Sequence, residues 1–486
     1  MATKSNAVKV FVYTGREGAV VPQDVVRVRI DPSVLAISAK VFELLQKLEK
    51  VQLHESLNLI GEMVFFYCTA LKEVQLSDGV KLIGQGAFAF CNFTKFRCPP
   101  LVTIIPNGML EGCVSMFSLK LPERIIKLGI NACNNCISLR NVALASNTVA
   151  DENAFNGCLH LLQIFGTEDA IFDALTIRFD GLPVHGWIYY ISYHNSIIAE
   201  EFLRTIIIGK NGELDPSGLQ QDCLGMTPIH ILACSTVQCL EVYQMIVEKY
   251  PENLIVEDAW GATPLLYAVW GDAPSEIVQF LVNSYQFHYP DHEFNWNAMV
   301  ITLGRVNVSI AVMQNLFDVK HRLSPGYNIA WEHVLEELVR STIANRPYLS
   351  QETFCFLIRC SIATRINAIG VKHFRDAMVD DWTDIIVEFN QDNRQMWYTE
   401  TLTKLEYYES EYQKLKETTS ILELALWKIK IDDSIMDHGS AMGDGFNKLM
   451  KDRSDFRLQC RISCGADNVI GNVWPYLLPQ DYRRRW

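Results

Sequence analysis

The sequence predicts an α/β repeat solenoid followed by an all-α array of helical hairpins and a long C-terminal helix. Three patterns carry this reading. Cys68, Cys91, Cys113, Cys136 and Cys158 follow one another at intervals of 23, 22, 23 and 22 residues. A nine-residue segment that starts at Asp222 recurs 36 residues later at Asp258. Leu405, Tyr408, Tyr412, Leu415, Thr419, Leu422 and Leu426 alternate spacings of three and four, a heptad seam.

The cysteine period defines about six repeats over residues 24–166. Eight residues before the cysteine slot stand Ile60, Ile83, Ile105 and Leu128, with Ala150 as a lapse. Three residues before it stand Phe65, Phe88, Leu110, Cys133 and Phe155. Six and eight residues after it come the pairs Val74/Leu76, Leu119/Leu121 and Val142/Leu144. Leu45 takes the cysteine slot of an earlier repeat, and Val28/Ile30 form the pair of the one before. A unit this small cannot bury its own apolar face, so neighbours must stack. The alternating pair reads as a short strand, and the Phe-x-x-Cys half as a helical or irregular return.

Side chains alternate along a strand, so positions five and seven after each slot should face the concave side. These are Arg27 and Arg29, Lys50 and Gln52, Glu73 and Gln75, Ser118 and Lys120, Asn141 and Ala143, Gln163 and Phe165, with Lys95 and Arg97 one place earlier in a repeat that has lost a residue. Six are basic and one acidic, in a chain of net charge -13. A solvated face needs only polar residues and does not require that imbalance of sign. Arg27, Arg29, Lys50, Gln52, Gln75, Lys95, Arg97 and Lys120 are therefore candidate partner-binding residues, suited to an acidic protein surface or a phosphorylated segment.

The slots just described, with Ile60-Gly61, Ile83-Gly84, Leu128-Gly129 and Leu121-Pro122, resemble the BspA-type leucine-rich repeat. The resemblance covers about a third of the chain and implies a solenoid.

In the second array, Thr227-Pro228 and Thr263-Pro264 read as helix starts, because Thr can cap free amides and Pro tolerates the first helical position. Val242, Met245 and Ile246, then Val278, Leu281 and Val282, supply the second helix of each hairpin. The segments resemble the ankyrin repeat, with its Gly-x-Thr-Pro-Leu-His signature. Here the period is 36 rather than about 33, and Leu266 replaces the usual His. Gly181 to His185 looks like an earlier copy and Trp296 to Leu316 a later one, giving an ankyrin-like array over 167–390. Trp260 falls near a hairpin tip and is a further candidate for partner binding. The order of the parts resembles repeat proteins of diatoms, which transfers an architecture and no biochemistry.

Residues 1–23 read as an N-terminal segment, 396–430 as the long helix, and 431–486 as a mobile, glycine- and charge-rich stretch with a C-terminal tail. The seam over 402–426 leaves two alternatives open, packing on the preceding helices or a homodimeric coiled coil. No run reaches the roughly 18 apolar residues of a membrane span, and no secretory leader is visible. The expectation is an intracellular, cytoplasmic location with reduced thiols, despite 14 cysteines.

Motifs that could carry chemistry have simpler explanations. Cys133-x-x-Cys136 has metal-knuckle spacing, yet both residues fill repeat slots. Zinc wants four converging ligands, which stacked slots would not supply. His230 and Cys234 sit four apart on a predicted helix, but His230 holds the repeat's signature position. Gly209-Lys210-Asn211-Gly212 lacks phosphate-loop spacing and reads as a turn. Cys355, Cys360, Cys460 and Cys464 have no partner signature. The expectation is no catalytic residue, no metal and no cofactor. The leading function is a non-catalytic protein-interaction scaffold or adaptor. The alternative is a regulatory subunit that binds a polyanion or nucleic acid through the basic stripe, which the acidic net charge disfavours. An enzyme hidden in residues 290–486 is a third reading.

Overall fold

A computed structural model describes residues 10–16, 20–193, 204–208, 212–236, 238–306 and 308–331, with isolated positions from 333 to 360. The heptad seam and the segments assigned to 396–430 and 431–486 lie outside the described residues. The chain divides into two compact units. The first, residues 1–330 with 348–350, holds both the strand repeats and the hairpins. In the second, Trp331, Val334, Leu335, Leu338 and Leu357 are buried.

The alternating pairs form a parallel ladder. It runs β1 (Val10–Tyr13), β2 (Arg27–Ile30), β4 (Lys50–Gln52) and β6 (Glu73–Val74) in one sheet, and β8 (Lys95–Arg97) and β10 (Ser118–Lys120) in a second sheet beside β6. A bridge from Ser118 to Asn141 extends it. Two features depart from the sequence reading at its ends. The N-terminal segment contributes a strand, β1, which pairs in parallel with β2. Gln163 and Phe165, expected on a seventh strand, lie in the helix α1 (Leu159–Phe165), which begins beside the last cysteine and closes the stack.

A second ladder was not legible. Each coil also forms a two-residue strand at the Ile slot: β3 (Ala36–Ile37), β5 (Leu59–Ile60) and β7 (Leu82–Ile83) in one sheet, and β9 (Ile104–Ile105), β11 (Lys127–Leu128) and β12 (Val149–Ala150) in another. Two residues are too few to show an alternation. They extend because the stack offers them a neighbouring coil to bond to.

The cysteine slot has a specific chemistry. Cys68 Sγ donates to Phe42 O at 3.0 Å, Cys91 to Phe65 O at 3.1 Å and Cys113 to Phe88 O at 3.3 Å. Cys136 donates to Leu110 O at 3.1 Å and Cys158 to Cys133 O at 3.2 Å. Each thiol thus fills a small buried site and donates to a carbonyl of the preceding coil; Phe65, Phe88, Leu110 and Cys133 O also accept a main-chain amide, so the thiol adds a second bond. Beside the thiols, Phe42, Phe65 and Phe88 stack with centroids 5.4 Å apart. Burial pushes the Cys68 thiol up to about 12 and holds Cys91, Cys136 and Cys158 well above the usual range. These thiols are therefore poor nucleophiles. Cys113→Ala should cost about 1–2 kcal/mol, and Cys113→Asp several kcal/mol through a buried unpaired carboxylate. Urea denaturation reads both. Fast labelling of the ladder thiols in native protein would contradict their burial.

After α1 come α2 (Glu168–Thr176) and α3 (Pro183–Tyr190), the latter continued by a 3-10 turn at Ile191–Tyr193. Three hairpins follow: α4 (Pro228–Ala233) with α5 (Leu240–Lys249), α6 (Pro264–Trp270) with α7 (Ser275–His288), and α8 (Trp296–Gly304) with α9 (Ile310–Leu323). Both Thr-Pro pairs open helices, with Thr as N-cap and Pro first inside. The recurring Asp builds the turn ahead of each. Asp222 Oδ1 accepts from the amides of Leu224 and Met226, and Asp258 Oδ1 from those of Trp260 and Ala262, all at 2.9 Å. Gly225 and Gly261 share a φ of 72°, the left-handed region these turns require.

His230 ties one turn to the next. Its Nδ1 accepts from the Thr227 amide at 3.2 Å, which leaves Nε2–H to donate to Ala262 O at 3.1 Å. Burial lowers its pKa, so the ring is neutral and structural. Thr263 differs from expectation, since its side chain makes no cap bond. Thr263→Val therefore loses no cap there, and the cost expected from a cap does not apply.

Candidate functional site

Strand pairing aligns the outward positions of the first ladder in two rows. Arg27 faces Lys50, which faces Glu73, and Lys95 faces Ser118. In the second row Arg29 faces Gln52, and Arg97 faces Lys120. Neighbouring strands stand about 4.8 Å apart, so the rows are close-spaced.

The rows meet two different fates. Arg27, Arg29, Lys50, Gln52 and Gln75 are exposed, as the alternation predicts. Among the described residues, Arg27, Arg29 and Lys50 make no ion pair or side-chain hydrogen bond. Lys95 and Arg97 are largely covered, and Lys120 is fully buried, against expectation. The physical reason is the chain's own helical part, which packs across this end of the ladder.

The contacts there are specific. Lys95 Nζ donates to Ala233 O at 3.0 Å and Ser235 O at 3.1 Å. Its side chain passes over Gly271, where a Cβ would collide with it. Arg97 donates from Nε and Nη2 to Ser192 O, at 3.1 and 2.9 Å, and pairs with Asp78 at 2.7 Å. Lys120 Nζ donates to Tyr189 O at 3.2 Å and lies 4.0 Å from that ring's centroid. Burial pushes the Lys95 ammonium down to about 8 and the Lys120 ammonium well below its ordinary value.

Tyrosine hydroxyls finish the ladder. Tyr189 donates to Leu119 O at 2.8 Å and accepts from the amides of Leu121 and Ala143 at 3.2 and 3.1 Å. The hydroxyl supplies main-chain partners where the next strand would have been. Arg178, fully buried, bonds to Asn141 Oδ1 and Val142 O at 2.8 Å each, and pairs with Asp222 at 2.7 Å. It joins the last rung of the ladder to the first hairpin turn. Arg178 and Tyr189 fall on no repeat period. The repeated Asp was the visible half of the arrangement.

Trp260 is half-buried rather than a free tip. Its Nε1 donates to His160 O at 3.1 Å, and the Arg140 guanidinium lies 5.1 Å from its ring. Between the open and covered parts of the ladder lies a cleft of about 710 Å³, bordered by Lys72, Gln75, Thr94, Gln238 and Asp272 among others. Among the described residues no group of three or more His, Cys, Asp or Glu side chains could hold a metal ion. Nor is any of their helices long and apolar enough to cross a membrane.

Comparison with known proteins finds the same repeat. Residues 35–162 match the BspA type leucine rich repeat region in 6 copies. A leucine-rich repeat protein of Bacteroides ovatus is 25% identical over 26% of this chain and 40% of its own, with a TM-score of 0.24. The T. pallidum leucine-rich repeat protein is 30% identical over 24% of this chain and 65% of its own, with a TM-score of 0.21. The chain thus spans less than two thirds of either protein. No curated protein matches it. The β-solenoid fits leucine-rich repeats, and its residues 35–162 match the BspA type.

Proposed function

We propose that this chain is a non-catalytic interaction scaffold, which docks another protein on the exposed half of its first ladder. One observation carries the reading. The covered half of the same face already serves as a docking surface for the chain's own helices, through Lys95, Arg97 and Lys120. Arg27, Arg29 and Lys50 hold the corresponding rows of the neighbouring sheet, exposed. The partner surface would be acidic or phosphorylated, since complementary charge steers encounter and fixes register.

The hairpins read as ankyrin-like. The Thr-Pro helix starts, the Asp-Gly turns and the His230 tie support this, and leave Trp260 a mainly structural role. The ladder thiols work as hydrogen donors only while reduced, which suits an intracellular location.

The test is charge reversal. Lys120 is too buried to serve, so the variant is Arg29→Glu with Lys50→Glu. Both sites are exposed, so stability should change by less than about 0.5 kcal/mol for each. Partner retrieval from cell extract should fall at least tenfold. Retrieval of the same partners at the same level would remove the ladder as the docking site. A steep fall of affinity with salt on a nucleic-acid probe would instead favour the polyanion reading.

A further inference from the structure

We propose that the open half of the ladder recognises the C-terminal end of a helix in the partner protein. This rests on the ladder being a docking face, and it narrows what docks.

In the covered half, every basic row residue ends on main-chain carbonyl oxygens at the finish of a helix. Lys120 reaches Tyr189 O in the last turn of α3, and Arg97 reaches Ser192 O in the 3-10 turn that continues it. Lys95 reaches Ala233 O, the last residue of α4, and Ser235 O two residues on. Among the described residues the carboxylate bonded to these three cations is Asp78, which belongs to the solenoid itself. The face is matched to helix ends rather than to acidic side chains.

The chemistry explains the match. The last four carbonyls of a helix have no amide partner within it, and they carry the negative end of its dipole. An ammonium or guanidinium meets both needs. Lys95 and Arg97 stand two residues apart on one strand yet serve two different helix ends, so the row spacing accommodates such ends side by side.

The open half repeats the arrangement. Arg27 and Lys50 lie in one row and Arg29 and Gln52 in the other, across strands β2, β4 and β6. Three strands at about 4.8 Å spacing span about 10 Å, the width of a single helix. On the next strand, Val10 and Val12 are 44% and 36% exposed and can take an apolar side chain of the docked last turn. Correspondence with the covered half therefore favours, within a partner surface of negative charge, the negative end of a helix over a phosphate group.

The test challenges the full-length chain with a displayed library of peptides about 16 residues long, enough for a helix to form. Retained peptides are resynthesised and titrated calorimetrically. They should gain helical circular dichroism on binding and bind the Arg29→Glu/Lys50→Glu variant at least tenfold more weakly. Proline tolerance supplies the directional readout. Proline at the first helical position should leave affinity unchanged, whereas proline in the last turn should lower it at least tenfold. A phosphoserine peptide broken by prolines is run alongside. If that peptide binds in a charge-dependent way while no helical peptide does, the helix-end proposal is overturned and the docking face survives. Retained peptides that bind the charge-reversed variant equally well would overturn both. A library from which nothing is retained overturns the helix-end proposal and leaves the docking face to partner retrieval.

Discussion

Raising the pH from 8 to about 10.5 in reducing buffer will unfold this protein. The cause is the set of buried thiols. Burial raises Cys68 and Cys234 to about 12, and Cys91, Cys98, Cys113, Cys136 and Cys158 likewise lie far above the 9.0 of an unfolded chain. A raised folded pKa gives stability that is complete below pH 9 and is lost as the pH climbs toward the folded value. Each thiol costs about 1.4 kcal/mol per pH unit above 9, because the unfolded chain ionises freely and the native one does not. Two amines act in the opposite sense. Lys95, at about 8 against 10.5, and Lys120, lower still, contribute stability as the pH rises to about 10.5. Two such groups cannot offset seven.

One pH unit above 9, the thiols alone remove roughly 10 kcal/mol, comparable to the whole stability of a domain. Urea titrations at pH 8, 9.5 and 10 measure the slope. Cys113→Ala should flatten it by about 1.4 kcal/mol per pH unit, although it lowers stability at pH 7. A midpoint that holds steady from pH 8 to 10 would mean the thiols are not buried as described.

The second large effect is Arg178→Met, which should destabilise the first compact unit by about 3–5 kcal/mol. Both side chains of the Arg178–Asp222 pair are 0% exposed. Removing the guanidinium leaves Asp222 buried and charged without its partner, which is the expensive way to break such a pair. It also strips the donors from Asn141 Oδ1 and Val142 O. Adding Asp222→Asn removes the orphaned charge while keeping an oxygen for the Leu224 and Met226 amides. The double variant should therefore be more stable than Arg178→Met alone, a coupling that a double-mutant cycle reads directly. Hydrogen exchange should show the first hairpin turn losing protection first. A loss below about 1 kcal/mol for Arg178→Met would mean the pair is not what joins ladder to hairpin.

Much of the fold was written in one-dimensional patterns. The cysteine and Phe slots marked the coils because identical coils bury identical positions. The alternating pairs located the first ladder and the side on which Arg27, Arg29 and Lys50 emerge. Thr-Pro gave the starts of α4 and α6, because capping is a local matter. The second ladder leaves no mark in the sequence, since two-residue strands such as Leu59–Ile60 take their conformation from neighbouring coils rather than from their own composition.

Residue spacing alone therefore yields the repeat, its register and the polarity of each face. Which part of the basic face remains available depends on long-range packing. Alternation fixes the direction in which a side chain leaves a strand. It carries no information about a segment a hundred residues away that returns to cover it. Lys120 and Lys50 occupy equivalent kinds of position, one buried under the Tyr189 carbonyl and the other exposed. The difference between them is a long-range contact, held by Arg178, Tyr189 and the open ends of two short helices.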